Sequence, residues 1–205
     1  MKEKLGIFGG TFAPIHNGHI RAVRAFCEQI CPDQTVLMPA AIPPHKQPDA
    51  TFTPQQRLEM TQLAAAECLS DLHVTVSDWE LKRKEKSYTY HTLMHFSRPD
   101  RTLYFLMGTD MFLTLEEWYR GTELFALAHM VCAMREADLV RREQVLFAQE
   151  KYRARYDAQC EILTYVPMEL SSTQVRQRIK NGQPLDGYVP SGVVEYIREH
   201  EIGTK

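Results

Sequence analysis

A cluster of residue types that bind phosphate lies near the start of the chain. It comprises Gly9, Gly10, Thr11, Phe12, His16, Asn17, Gly18 and His19. The cluster follows an apolar run at residues 5–8, which predicts a buried strand, and precedes residues 18–30, which predict a helix capped by Asn17. A helix N-terminus attracts anions, and glycine lets a phosphate approach the backbone. Imidazoles add hydrogen-bond donors near neutral pH. The segment therefore predicts a site for the phosphates of a nucleotide.

The same residues also have a structural interpretation. Gly9-Gly10 alone is typical of a turn at the end of a strand, and a lone histidine is most often structural. Two histidines around Asn17-Gly18 at a strand-to-helix junction favour a functional site, because open α/β sheets bind ligands at the carboxyl ends of their strands. Gly-x-Gly-x-x-Gly and Walker A sequences are absent, which excludes the two commonest phosphate motifs.

A second segment with phosphate-binding chemistry lies near the other end of the chain. It reads Ser171-Ser172-Thr173-Gln174-Val175-Arg176. A helix N-terminus with an arginine suits the β- and γ-phosphates of ATP. Taken alone, Ser172 and Thr173 are typical of a helix cap and Arg176 of a protein surface. The presence of the first segment favours phosphate binding.

The elements that must position these residues alternate between strand and helix. Strands are predicted at residues 5–8, 35–38, 73–76, 102–107, 129–134 and 161–166. Helices are predicted at residues 18–30, 54–68, 90–96, 116–127, 138–156, 171–180 and 191–199. This alternation predicts an α/β fold, a single Rossmann-like, doubly wound parallel sheet with helices on both faces. The length of 205 residues, without repeats or a linker, predicts one domain spanning residues 1–205.

Composition excludes several classes of partner. The net charge of −2 gives no basic face for nucleic acid, and no apolar run is long enough to span a membrane. The first residues lack the apolar region of a signal peptide. The five cysteines, odd in number and without a Cys-x-x-Cys pair, indicate a reducing compartment. We expect a cytoplasmic protein without nucleic-acid or membrane partners, and the sequence leaves its oligomeric state open.

The two motifs together resemble the signature of the HxGH-type nucleotidylyltransferases. Over nearly its whole length the chain is similar to the bacterial nicotinate-nucleotide adenylyltransferases. Further matching segments are Pro43-Pro44-His45-Lys46, Glu80-Leu81-Lys82-Arg83, Ser87-Tyr88-Thr89, Gly108-Thr109-Asp110, Trp118 and Arg135. The resemblance implies that ATP and nicotinate mononucleotide are joined into deamido-NAD with release of pyrophosphate. It implies direct in-line attack of the mononucleotide 5′-phosphate on the α-phosphate of ATP.

The resemblance also implies a role for each matching residue. The catalytic residues are expected to be His16, His19 and Arg176. Residues expected to bind ATP are Gly9, Gly10, Thr11, Phe12, Gly108, Asp110, Ser172 and Thr173. Residues expected to bind the mononucleotide are His45, Lys46, Tyr88, Thr89, Trp118 and Arg135. Mg²⁺ is expected to arrive with ATP, without a dedicated protein metal site.

Other interpretations stay open for several of these residues. Trp118 is equally typical of core packing, and Asp110 of a helix cap. Lys46 is typical of a solvated loop, and Tyr88 with Thr89 of a strand-to-helix cap. A related enzyme that uses nicotinamide mononucleotide or another phosphate-bearing acceptor is an alternative, as is a non-catalytic nucleotide-binding module.

The chain departs from the family pattern around the matching segments. Ala13 stands where the family commonly has aspartate, Glu85 where it often has glycine, and His91 where it has aspartate. Arg135 is followed by Glu-Ala-Asp rather than Pro-Gly. None of these departures removes a phosphate-binding residue.

Overall fold

The computed structural model describes residues 2–42, 51–83, 85–134 and 139–203, and within them the strands form one sheet. The strands are β1 (Glu3–Gly10), β2 (Gln34–Pro39), β3 (Val74–Val76), β4 (Arg101–Gly108), β5 (His129–Ala133) and β6 (Cys160–Ile162). Their order is β3-β2-β1-β4-β5-β6, and every neighbouring pair is parallel. This is the strand order of the doubly wound Rossmann fold, so the predicted fold class is confirmed.

The helices connect successive strands or follow the last one. They are α1 (Asn17–Ile30), α2 (Pro54–Cys68), α3 (Thr89–Phe96), α4 (Thr109–Leu113), α5 (Gly121–Leu127), α6 (Leu139–Tyr156), α7 (Ser172–Lys180) and α8 (Ser191–Glu199). Thr53 caps α2, because its hydroxyl accepts a hydrogen bond from the amide of Gln56 at 3.2 Å. None of the described helices is long and apolar enough to cross a membrane.

The sheet separates two apolar layers, as the alternation of side chains along a strand requires. In β1, Phe8 packs into one layer with Phe26 of α1 and Val175 of α7. Ile7 packs into the other layer with Phe112 of α4. Gly6 lets α1 approach the sheet closely, since a Cβ there would lie 2.4 Å from the Phe26 ring. The helices on both faces thus hold the carboxyl ends of the strands in fixed positions.

Three predictions about the elements were wrong. His16, not Asn17, caps α1, and the Asn17 side-chain amide donates to the carbonyl of Gly187 at 2.9 Å. The predicted helix at residues 116–127 is a 3₁₀ turn at Leu115–Glu117 followed by α5. The predicted strand at residues 161–166 ends at Ile162. The short helix α4 was not predicted.

Candidate active site

A cleft lies at the carboxyl ends of β1, β4 and β5, where the chain order of the sheet reverses. It encloses about 340 Å³, open solvent at its mouth included. The described residues that line it are Phe8, His16, Gly18, His19, Ala22, Met107, Gly108, Ala133, Tyr165, Met168 and Leu170. A doubly wound sheet binds its ligands at this point, so the cleft is the candidate active site.

His16 and His19 form a packed pair on the wall of this cleft. Their rings stack with centroids 3.6 Å apart, and the two residues are 2 % and 9 % exposed. The backbone amide of His16 donates to Nδ1 of His19 at 3.2 Å. A neutral imidazole that accepts at Nδ1 carries its proton on Nε2. The Phe12 and His19 rings pack edge to face, with their centroids 5.2 Å apart. His19 is therefore held as a donor through Nε2.

The loop that follows β1 is fixed through its carbonyl groups. Phe12 adopts a left-handed conformation with φ of 46°, and the Ala13–Pro14 peptide bond is cis. The Gly10 carbonyl accepts from the amide of Ala40 at 2.8 Å. The Thr11 carbonyl accepts from Nη1 of Arg57 at 2.6 Å.

The second motif binds the same loop. Ser172 donates its hydroxyl to the Pro14 carbonyl at 3.0 Å, and Nη1 of Arg176 donates to the Ala13 carbonyl at 2.8 Å. Nη2 of Arg176 donates to the Thr173 hydroxyl at 3.1 Å. The N-termini of α1 and α7 therefore meet at one loop, although the two motifs lie at opposite ends of the sequence.

The end of β4 carries another group of predicted residues. Gly108 lines the cleft and caps α4, which places Asp110 in the first turn of that helix. The Asp110 carboxylate is 71 % exposed and lies 3.3 Å from Nη2 of Arg141. On the inner side, the Tyr152 hydroxyl donates to the Phe112 carbonyl at 2.9 Å. Burial raises the pKa of Tyr152 to about 12, so this donor stays protonated.

Three of the predicted mononucleotide residues, Tyr88, Thr89 and Trp118, lie at the start of α3 and after the 3₁₀ turn. Tyr88 caps α3, Thr89 is its first residue, and the Tyr88 ring lies 4.5 Å from the Tyr119 ring. Trp118 is 9 % exposed within the apolar layer, and its Nε1 donates to the Thr114 hydroxyl at 3.3 Å. In this structure the indole is packed in the protein interior.

The buried carboxyl group of Glu80 holds α3 in place through a hydrogen bond. The Thr92 hydroxyl donates to Glu80 Oε1 at 2.6 Å, and Glu80 is 5 % exposed. Burial raises the pKa of Glu80, while its hydrogen bonds with Thr92 and Ser87 act in the opposite direction. The Glu80 carboxyl thus ties the N-terminal half of α3 to the segment after β3.

Three predicted residues, His45, Lys46 and Arg135, lie outside the described residues. Within the described ranges, no group of three or more His, Cys, Asp or Glu side chains is placed to hold a metal ion.

The sequence prediction missed Arg57, which touches the loop after β1. Burial lowers its pKa, and it is only 4 % exposed. A signal was present, because residue 57 shares the buried stripe of α2 with Met60, Thr61 and Ala64. A charged residue on a buried helix stripe indicates a specific partner in the fold.

Comparison with known proteins places this geometry among nucleotidyltransferases. Residues 7–178 match the family model described as cytidylyltransferase-like. A relative from Idiomarina loihiensis, named probable nicotinate-nucleotide adenylyltransferase, is 36% identical over 214 residues, covering 96% of this chain and 97% of its own. Relatives with the same name from Neisseria gonorrhoeae and Clostridium botulinum are 35% and 31% identical, covering 99% and 98% of this chain and 100% and 98% of their own.

Solved structures show the same fold. Plasmodium falciparum nicotinic acid mononucleotide adenylyltransferase complexed with NaAD matches with a TM-score of 0.78 and 15% identity, covering 98% of both chains. The same enzyme complexed with APC matches with a TM-score of 0.74 and 14% identity, again covering 98% of both chains. At these identities the likeness concerns the fold.

Proposed function

The chain belongs to the cytidylyltransferase-like family, and from that premise we propose that it transfers the adenylyl group of ATP to nicotinate mononucleotide. The products are deamido-NAD and pyrophosphate, a step of NAD biosynthesis. One observation carries the proposal: hydrogen bonds of Ser172 and Arg176 to the Pro14 and Ala13 carbonyls join the second motif to the loop of the first, whose residue His16 lines the cleft. The names of the relatives support the choice of acceptor.

The reaction needs positioning and charge stabilisation more than proton transfer. An oxygen of the mononucleotide 5′-phosphate attacks the α-phosphorus of ATP, and the bond from that phosphorus to the bridging α,β-oxygen breaks. The electron pair of that bond leaves with pyrophosphate. A phosphate monoester has a second pKa of about 6, so its attacking oxygen is already ionised at pH 7. The barrier therefore comes from bringing two anions together and from charge on the leaving group, which positioned donors lower.

The described residues supply such donors from two directions. His19 presents Nε2–H beside the N-terminus of α1, where it would bind the α-phosphate with His16. Arg176 and the N-terminus of α7, with Thr173, would bind the β- and γ-phosphates. A guanidinium carries five N–H donors, so its bonds to the protein and to ATP are compatible.

In this proposal Mg²⁺ arrives bound to ATP. The described residues that line the cleft include no Asp or Glu, whereas Mg²⁺ prefers oxygen ligands. The cleft therefore suits the phosphate oxygens of ATP, which hold the ion together with water. When bound, Mg²⁺ neutralises part of the phosphate charge.

The ribose and the mononucleotide occupy the neighbouring strand ends in this proposal. The Asp110 carboxylate, exposed at the start of α4, accepts hydrogen bonds from the adenosine ribose hydroxyls. Tyr88 and Thr89 at the N-terminus of α3 hold the nicotinate side, where the helix dipole favours a carboxylate. His45, Lys46 and Arg135 are proposed to bind the mononucleotide. Trp118 is proposed to stack on its pyridine ring, which requires the indole to turn out of the apolar layer in which it packs in this structure.

The proposed compartment is the cytoplasm. None of the five cysteines, all of which lie within the described residues, forms a disulfide, and Cys132 and Cys160 are buried. Free thiols are usual in a reducing compartment.

An initial-rate assay of pyrophosphate release tests the function directly. Purified protein receives Mg-ATP with either nicotinate mononucleotide or nicotinamide mononucleotide, and mass spectrometry identifies the dinucleotide. A strong preference for the acid is expected. Equal rates would instead indicate a dual-specificity enzyme. Absence of product with both, while ATP still binds, would favour another phosphate-bearing acceptor or a non-catalytic module.

A further inference from the structure

Arg57 lies where two loops of the candidate site approach each other. Its Nη1 donates to the Thr11 carbonyl at 2.6 Å, and its Nη2 lies 3.5 Å from the Ala41 carbonyl. Thr11 belongs to the loop after β1, and Ala41 follows β2. A hydrogen bond of 2.8 Å from the Ala40 amide to the carbonyl of Gly10, the last residue of β1, joins the two strand ends directly. One guanidinium therefore spans the two strand ends.

The contacts continue from the second loop to the N-terminus of α3. The Ala41 amide donates to the Ser87 hydroxyl at 3.0 Å, and the Ser87 amide donates to the Ile42 carbonyl at 2.9 Å. Ser87 immediately precedes Tyr88, the residue that caps α3. These contacts therefore connect the loop after β1, through Arg57 and the loop after β2, to the N-terminus of α3, which is the proposed nicotinate side.

The chemistry of Arg57 suits orientation better than packing. It occupies a buried stripe of α2 that an apolar side chain would fill without desolvating a charge. Within the described ranges its hydrogen-bond partners are backbone carbonyls, and no carboxylate pairs with it. A planar guanidinium fixes the direction of each carbonyl that it binds. Because C=O and N–H point in opposite directions across a peptide unit, holding the Thr11 carbonyl toward α2 turns the Phe12 N–H away from α2.

We propose that Arg57 is a positioning residue. It holds the loop after β1, on the ATP side, and the loop after β2, on the mononucleotide side, in one reactive arrangement. This inference rests on the proposed function, because the two loops serve two substrates only in that reaction. Arg57 touches no reacting atom and acts through Thr11 and Ala41. Its removal therefore lowers kcat more than it raises either KM. A displacement of about 1 Å at a reacting group costs about 100-fold in rate.

The test compares Arg57→Met and Arg57→Lys with Arg24→Met as the matched control. Arg24 also donates to a backbone carbonyl, that of Cys68, and pairs with Asp71, but these partners lie at and after the end of α2 rather than in the two loops that Arg57 contacts. We expect kcat to fall about 100-fold in Arg57→Met. A smaller fall in kcat is expected in Arg57→Lys, which keeps the positive charge but loses the planar pair of N–H donors. Arg24→Met should keep the wild-type kcat even where its melting temperature falls.

The outcomes separate this inference from the proposed function. Wild-type kcat in Arg57→Lys, or an equal loss of kcat in the Arg57 and Arg24 variants at equal melting temperature, would overturn the positioning role. If Arg57→Met does not fold, Arg57→Lys decides. If the wild type forms no dinucleotide, the proposed function fails. Amide hydrogen exchange then tests separately whether Arg57 couples the two loops. Residues 9–13 and 40–42 should then lose protection together in Arg57→Lys, and loss in only one of them would refute the coupling.

Discussion

Replacing His19 by asparagine should remove the proposed hydrogen-bond donor to phosphate while preserving the start of α1. Nδ1 of His19 accepts from the His16 amide at 3.2 Å, and the asparagine Oδ1 reaches the same position from the backbone. The variant lacks an Nε2–H group. Loss of one preorganised donor costs about 100- to 1,000-fold in kcat, or about 2.7–4 kcal/mol of transition-state stabilisation. We expect a loss in that range with a nearly unchanged melting temperature.

Two further variants at this position separate the donor from the cap. His19→Gln places an amide N–H near the position of Nε2 but has no acceptor at the position of Nδ1, so it should retain more activity than His19→Asn. His19→Ala removes both groups and leaves the buried His16 amide without this acceptor, at a cost of about 1–3 kcal/mol in stability. For a chain of this size each kcal/mol lowers the melting temperature by about 2–4 °C. His19→Ala should therefore melt measurably lower than His19→Asn.

The assay is steady-state pyrophosphate release at saturating Mg-ATP and nicotinate mononucleotide, with thermal melts followed by circular dichroism. A His19→Asn kcat within threefold of the wild type would refute the assignment of Nε2 as a phosphate donor. Activity in His19→Gln below that of His19→Asn would refute the tautomer inferred from the His16 contact.

Other elements of the site give predictions of their own. Trp118→Ala should raise the KM for the mononucleotide more than the KM for ATP, and equal effects with a lower melting temperature would indicate core packing only. Burial raises the folded-state pKa of Glu80, so its ionisation costs stability as pH rises through that pKa. Glu80→Gln should therefore have a higher free energy of unfolding in urea than the wild type at pH 7. This difference should disappear below the unfolded-state glutamate pKa of about 4.3. An equal difference at both pH values would contradict this reasoning. Tyr152→Phe removes the donor to the Phe112 carbonyl and should cost about 1 kcal/mol in the free energy of unfolding. Unchanged denaturation would show that another group satisfies the carbonyl.

The fold was predictable because buried parallel strands and capped helices leave strong local patterns. The apolar runs at residues 5–8 and 102–107 lie within β1 and β4, and Thr53-Pro54 marked the start of α2 correctly. These features depend on neighbouring residues, which a sequence displays directly.

The break within residues 116–127 depends on packing between segments and left no local pattern. Arg120 takes a left-handed φ of 54°, and a Cβ at Gly121 would lie 2.1 Å from the Leu115 carbonyl oxygen. The chain therefore turns sharply after Trp118, although its apolar spacing continues as in one helix. The five-residue helix α4 was missed for a related reason, since one turn is too short to show a period.

The location of the candidate site was predictable from the sequence, whereas the contacts that hold its loop in place were not. His16 and His19 follow a strand, and the topology of a doubly wound sheet assigns ligands to that edge. Arg57 and Arg176 bind the backbone carbonyls of Thr11 and Ala13. Because every residue type carries a backbone carbonyl, the sequence does not indicate which residue accepts the hydrogen bond. Such partners are invisible in a sequence even when the donor is conspicuous.

These carbonyl contacts explain how a loop without a glycine-rich phosphate motif suits an anion. Donors from α2 and α7 bind the carbonyls of Thr11, Ala13 and Pro14 in the loop. In the peptides after Thr11 and Pro14, the bound carbonyl points toward Arg57 or Ser172, so the N–H of the same peptide points the other way. The Ala13–Pro14 peptide has no N–H, so there Arg176 fixes only the carbonyl. Two arginines also bring net positive charge to the loop. The phosphate binding proposed for the first motif therefore depends on α2 and α7 as much as on its own glycines and histidines.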